Sequence, residues 1–177
     1  MRVRRMAVAA SMAVLALLAG TSPATGRGAD AADPSAPATV PTGQGRGALD
    51  DPAGAVEAGK SGSDADAAAV IRCEGQVQRP HNSTHVPGTV NVVVTVSCTA
   101  PVPEITTRAA LYKNGQLVNQ STLRTQHNTR TAQNNAAVRC SPGNYRGWMY
   151  FKVVFPPGYN PPTGSANGLG QEVPITC

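Results

Sequence analysis

An all-β fold is what this sequence predicts: an immunoglobulin-like antiparallel β-sandwich of about seven strands, held by two disulfides and preceded by a disordered tail. Three observations carry that expectation. Apolar residues from position 71 onward recur at every second place, the period of a strand with one buried face. Turn residues punctuate these runs at short intervals, Asn114-Gly115 and Ser141-Pro142-Gly143 most clearly. All four cysteines and every aromatic residue fall in that same stretch. Short strands at this spacing suit a sandwich, with an open barrel as the rival.

Residues 1–26 read as a secretory signal peptide. Arg2, Arg4 and Arg5 precede an apolar run over 6–20 that is too short for a membrane anchor. Ser22-Pro23-Ala24 and Ala29-Asp30-Ala31 both offer cleavage sites, so cleavage is expected between 24 and 31. No later segment is long and apolar enough to span a bilayer, which predicts a secreted, extracellular chain. Residues 27–70 hold seven acids, three bases, no cysteine and no aromatic residue. A segment so rich in Ala, Gly, Pro, Asp, Ser and Thr buries too little apolar surface to offset the entropy of ordering. It is expected to be a disordered tail.

Residues 71–177 should form the β-domain. Ile71, Cys73, Gly75 and Val77 alternate with Arg72, Glu74, Gln76 and Gln78, and a loop over 80–88 follows. Val90, Val92, Val94, Val96 and Cys98 make one face of a long second strand, after which residues 99–103 are expected to turn the chain. Two strands, over 105–112 and 116–123, flank Asn114-Gly115, a dipeptide suited to the positive φ of a tight hairpin. Residues 124–135 read as a polar loop, and Ala136, Val138 and Cys140 as the inner face of a fifth strand. The sixth strand carries Tyr145, Met149, Phe151, Val153 and Phe155 on one side and Trp148 and Tyr150 on the other. A Pro/Gly-rich loop over 156–170 precedes Val173, Ile175 and Cys177.

In an exported domain four cysteines imply a disulfide framework, and their wide spacing argues against a zinc knuckle or redox pair. Of the three possible pairings, Cys73–Cys98 and Cys140–Cys177 are favoured, because both join strands that are near neighbours in sequence. Each should contribute about 3–4 kcal/mol by constraining the unfolded chain.

The charge of this domain narrows its chemistry. Nine bases face three acids, Glu74, Glu104 and Glu172, with no aspartate. A Ser-His-acid relay needs a carboxylate to orient its imidazole, and no Gly-x-Ser-x-Gly elbow or paired carboxylates stand out. No enzyme and no cofactor are expected. His81 and His85 sit between Pro80 and Pro87, so they read as loop residues lacking the further ligands a structural zinc takes, and no metal is expected. Arg108, Lys113, Arg124, Arg130, Arg139, Arg146 and Lys152 lie in an acid-free stretch, yet they are spread rather than clustered, and no dedicated nucleic-acid role is expected. The polar loop is the remaining candidate. Arg124, His127 and Arg130, set among amide side chains without an acid, suit capture of an acidic protein surface. Trp148 and Tyr150 are either an exposed aromatic anchor or packed beneath another segment. Asn82-Ser83-Thr84 and Asn119-Gln120-Ser121 match the short N-glycosylation pattern.

The Arg-rich, alanine-laden signal, the Ala/Gly/Pro/Asp tail and the cysteine-stapled β-module resemble secreted actinobacterial proteins. In layout across the whole chain they are similar to the small adaptor subunits of umbrella toxin particles. That resemblance implies a non-catalytic bridge between a lectin-like subunit and the repeat-built ring of a large toxin polypeptide in an antibacterial complex. It implies that the basic segment around Arg124 and Arg130 enters an acidic groove of the large subunit, while the tail reaches the lectin-like one. The expected function is thus a secreted protein-binding adaptor in a hetero-oligomer. The alternative is a stand-alone secreted inhibitor of a foreign enzyme, presenting residues 156–170, or a small antibacterial effector.

Overall fold

The computed structural model describes residues 35–41, 52–60 and 69–177. Among them there is no helix, and so none long and apolar enough to cross a membrane. The strands are β1 (Pro52–Lys60), β2 (Val70–Val77), β3 (His81–Asn82), β4 (Thr89–Lys113), β5 (Gln116–Gln120), β6 (Arg124–Arg139), β7 (Gly143–Val154), β8 (Tyr159–Asn160) and β9 (Thr163–Ile175). Every pairing is antiparallel, in the order β8-β1-β2-β4-β7-β9, with β3, β5 and β6 also paired to β4. The expected all-β antiparallel architecture is present, built on more and longer strands than the sequence suggested.

The 25-residue β4 organises the molecule. Its first half pairs with β2 at Val94–Cys98, and its second half pairs with β7 at Glu104–Lys113. β6 follows β4 along both halves, with a register shift between Ser97 and Val102. There β4 supplies Cys98, Thr99, Ala100 and Pro101 against Arg130 alone, a large bulge that bends the ribbon from one layer into the other. The turn expected over 99–103 is therefore a bend within one strand. Pro101 and Pro103 lack N–H donors, but a bulge leaves donors unused, so both are accommodated without reversing the chain.

Residues from both layers meet in one core. Ile71 and Cys73 of β2, Val90, Val92, Val94 and Val96 of β4, and Met149, Phe151 and Val153 of β7 are buried together. Two glycines allow the layers to approach. A Cβ on Gly75 would lie 2.7 Å from Met149 Sδ and Phe151 Cε1, and one on Gly147 would lie 2.5 Å from Val77 Cγ1 and Val92 Cγ2. The Asn114-Gly115 hairpin is as expected, with φ of 50° and 81°. Both disulfides are those anticipated: Cys73 and Cys98 are register partners with Cα atoms 4.0 Å apart, and Cys140–Cys177 spans 5.9 Å.

Three boundaries differ from expectation. Residues 124–135 form no loop but the first three-quarters of β6. The Pro/Gly-rich loop over 156–170 shrinks to a tight connection, because β9 begins at Thr163 and pairs with β7 from Val154 onward. Within the tail expected over 27–70, residues 52–60 form β1 against β2, and residues 35–41 run along β5. Open strand edges explain these two additions: the free backbone groups of β2 and β5 accept extended segments whatever their hydrophobicity. The signal peptide, its cleavage site and the rest of the tail lie outside the described residues.

Candidate protein-binding face

β6 owes its conformation to its partner. Its first half, Arg-Thr-Gln-His-Asn-Thr-Arg, has little apolar patterning, but β4 offers a continuous edge of strong β-formers for it to pair with. Its second half does alternate: Ala132, Asn134 and Ala136 point inward opposite Val96, Val94 and Val92. Thr131, Gln133 and Asn135 point outward opposite Ser97, Thr95 and Val93.

The three candidate contact residues are exposed along this strand. Arg124 opens β6 opposite Thr107, His127 stands across from Glu104, and Arg130 faces the bulge of β4. Among the described residues no carboxylate forms an ion pair with Arg124 or Arg130, whereas His127 Nδ1 lies 3.9 Å from Glu104 Oε2. The Glu104 carboxylate also accepts a hydrogen bond from Thr106 Oγ1 at 3.2 Å. An acid thus enters the basic segment from the neighbouring strand, which spacing along the chain does not reveal.

Arg124 lines two shallow grooves. One, of about 360 Å³, is also lined by His85, Val86, Asn91, Val93 and Asn135. The other, of about 350 Å³, is lined by Gln126, Thr131 and Gln133. Cross-strand hydrogen bonds hold the outward amides in place: Asn135 Nδ2 donates to Asn91 Oδ1 at 3.3 Å and Gln133 Nε2 to Thr95 Oγ1 at 3.1 Å. Asn134 belongs to the interior instead. Its Nδ2 donates to the carbonyls of Thr107 and Thr122, each at 3.0 Å, and its Oδ1 accepts from the Asn135 N–H at 2.9 Å. Asn91 and Val93, missed in reading the sequence for sites, are marked by the same alternation that marks the core, on its outward phase.

The other candidates are dispersed. Arg72 sits between Glu57 and Glu74, with Nε 2.7 Å from Glu74 Oε1, and these partners, Glu74 first, raise its already high pKa. All three side chains are about half exposed, so the cluster adds little stability. Glu172 lies opposite Arg146, whose Nε donates to the Gly170 carbonyl at 2.8 Å. His81 is in β3, with Nδ1 3.0 Å from the Arg79 carbonyl oxygen, and His85 is in the turn that follows. Among the described residues no three His, Cys, Asp or Glu side chains are grouped to hold a metal ion. Lys113 Nζ reaches Ser141 Oγ at 2.5 Å, and Arg108 Nη1 reaches Ser35 Oγ at 3.3 Å. At the glycosylation patterns, Asn82 Nδ2 donates to the Thr176 carbonyl and Asn119 Nδ2 to that of Ala137. Trp148 and Tyr150 are buried, 2% and 6% exposed, beneath residues 35–41.

What remains is an open face of fixed amides and hydroxyls, flanked by two arginines free to turn toward a carboxylate. Its chemistry is complementary to carboxylates. Comparison of the chain with models of known protein families, with curated proteins and with solved structures gives no match.

Proposed function

We propose that this chain is a secreted, non-catalytic adaptor that captures an acidic surface of another secreted protein through β6. The observation that carries the reading is the pair of exposed arginines, Arg124 and Arg130, on a strand whose outward neighbours are hydrogen-bonded to one another. Ordered amides lose little entropy on binding, and each arginine can hold a carboxylate bidentately. His127, next to Glu104, adds charge when protonated. Two disulfides suit an extracellular setting, and the resemblance in layout to umbrella-particle adaptors favours an antibacterial toxin complex as the context.

The test is co-purification from native culture supernatant, with the wild-type chain and an Arg124→Glu/Arg130→Glu variant as parallel baits. The reading expects a defined acidic partner, identified by mass spectrometry, that the wild type retains and the variant loses. A lone monomer in both samples, by size-exclusion chromatography, contradicts it.

A further inference from the structure

The outer face formed by the second half of β4, β7 and β9 carries a second apolar cluster, separate from the main core: Ala110, Tyr112, Trp148, Tyr150 and Leu169. It stays dry because residues 35–41, Ser-Ala-Pro-Ala-Thr-Val-Pro, lie across it. Pro37 and Pro41 bias this segment toward an extended backbone. Ala36 and Val40 turn toward the aromatic rings. The backbone of the segment is added to the edge of β5: the Val40 N–H donates to the Gly115 carbonyl and the Leu117 N–H to that of Ala38, each at 2.9 Å. Tyr112 donates its hydroxyl to the Pro37 carbonyl at 2.7 Å.

These are the features by which aromatic grooves and strand edges recognise extended proline-containing peptides: flat rings, a hydroxyl donor aimed at a backbone carbonyl, and a free edge. One feature is left unused. Trp148 Nε1 is buried, yet it has no hydrogen-bond partner among the described residues. An indole donor that is buried normally finds an acceptor. The resident segment therefore satisfies the Tyr112 hydroxyl but offers no acceptor to the Trp148 N–H.

We propose that this face is a recognition groove for an extended, uncharged, proline-containing segment of a partner protein. Residues 35–41 are its resident occupant, and the partner docks by replacing them. This groove is independent of the basic strand, so either site can exist without the other.

Trp148 is the single tryptophan of the chain, so its fluorescence reports directly on the groove. The experiment compares wild type with Ala36→Asp/Val40→Asp, and with the milder Val40→Pro, which removes the N–H bonded to Gly115. Both changes lie on the resident segment, outside the main core, and a retained cooperative melt confirms folding. The variants should show red-shifted emission and a several-fold steeper acrylamide quenching. Adding the synthetic peptide of residues 35–41 should restore the wild-type spectrum saturably, and Tyr112→Phe in the variant background should weaken that peptide about two- to ten-fold. Unshifted emission in both variants overturns the proposal, as does a red shift that millimolar peptide does not reverse. A wild-type spectrum that red-shifts on dilution, as a dimer dissociates, assigns the groove to a second copy of the chain and contradicts a foreign occupant.

Discussion

β4 presents two outer faces that follow the same rule and meet different fates. Along its first half the outward residues are Asn91, Val93, Thr95 and Ser97, and they stay open beside the amides of β6. Along its second half they include Arg108, Ala110 and Tyr112, and with Trp148 and Tyr150 of β7 they are roofed by residues 35–41. Alternation decides which side chains leave the core. Whether they then reach water depends on what the rest of the chain can lay over them, and an aromatic face draws cover that a polar one does not.

That contrast can be broken first at its covered side. Trp148→Ala should destabilise the protein by about 3–5 kcal/mol and loosen residues 35–41, whereas Gln133→Ala on the open face should stay within about 0.5 kcal/mol; urea denaturation measures both. The boundary between the faces is fixed by Asn134, and Asn134→Ala leaves two carbonyls without their donor. A loss of about 2 kcal/mol is expected in the same assay.

The Tyr112 hydroxyl supplies a pH test of the cover. Burial pushes its pKa from 10.0 up to about 12. The folded state therefore holds this proton more tightly than the unfolded chain does. The stability linked to it is complete below pH 10 and is lost as pH rises from 10 to 12. Tyr112→Phe should lose about 1 kcal/mol at neutral pH, with the hydrogen bond to Pro37, and then show a shallower alkaline decline than wild type. The smallest effect belongs to the open face: Arg124→Ala/Arg130→Ala should change stability by less than about 0.5 kcal/mol.

Much of the core was legible because its signals are local. Val90 to Val96 alternate cleanly, Tyr145, Met149, Phe151 and Val153 keep to one face of β7, Asn114-Gly115 announces its hairpin, and both disulfides join cysteines near one another in sequence. The first half of β6 was not legible, since an all-polar run becomes a strand only when a distant edge pairs with it. The same holds for residues 35–41 and 52–60, whose compositions favour disorder until open edges and aromatic rings are supplied elsewhere. Of the candidate site, the exposure of Arg124, His127 and Arg130 was anticipated; their strand setting, and the entry of Glu104 beside His127, depend on pairing with distant residues of β4.

The claim that β6 captures an acidic protein surface is tested most directly by the affinity of the purified partner for wild type and for Arg124→Glu/Arg130→Glu at low and moderate ionic strength. Binding through exposed arginines should weaken steeply with salt, and charge reversal should lower the low-salt affinity at least about tenfold. Equal affinity for both proteins, unmoved by salt, would contradict it.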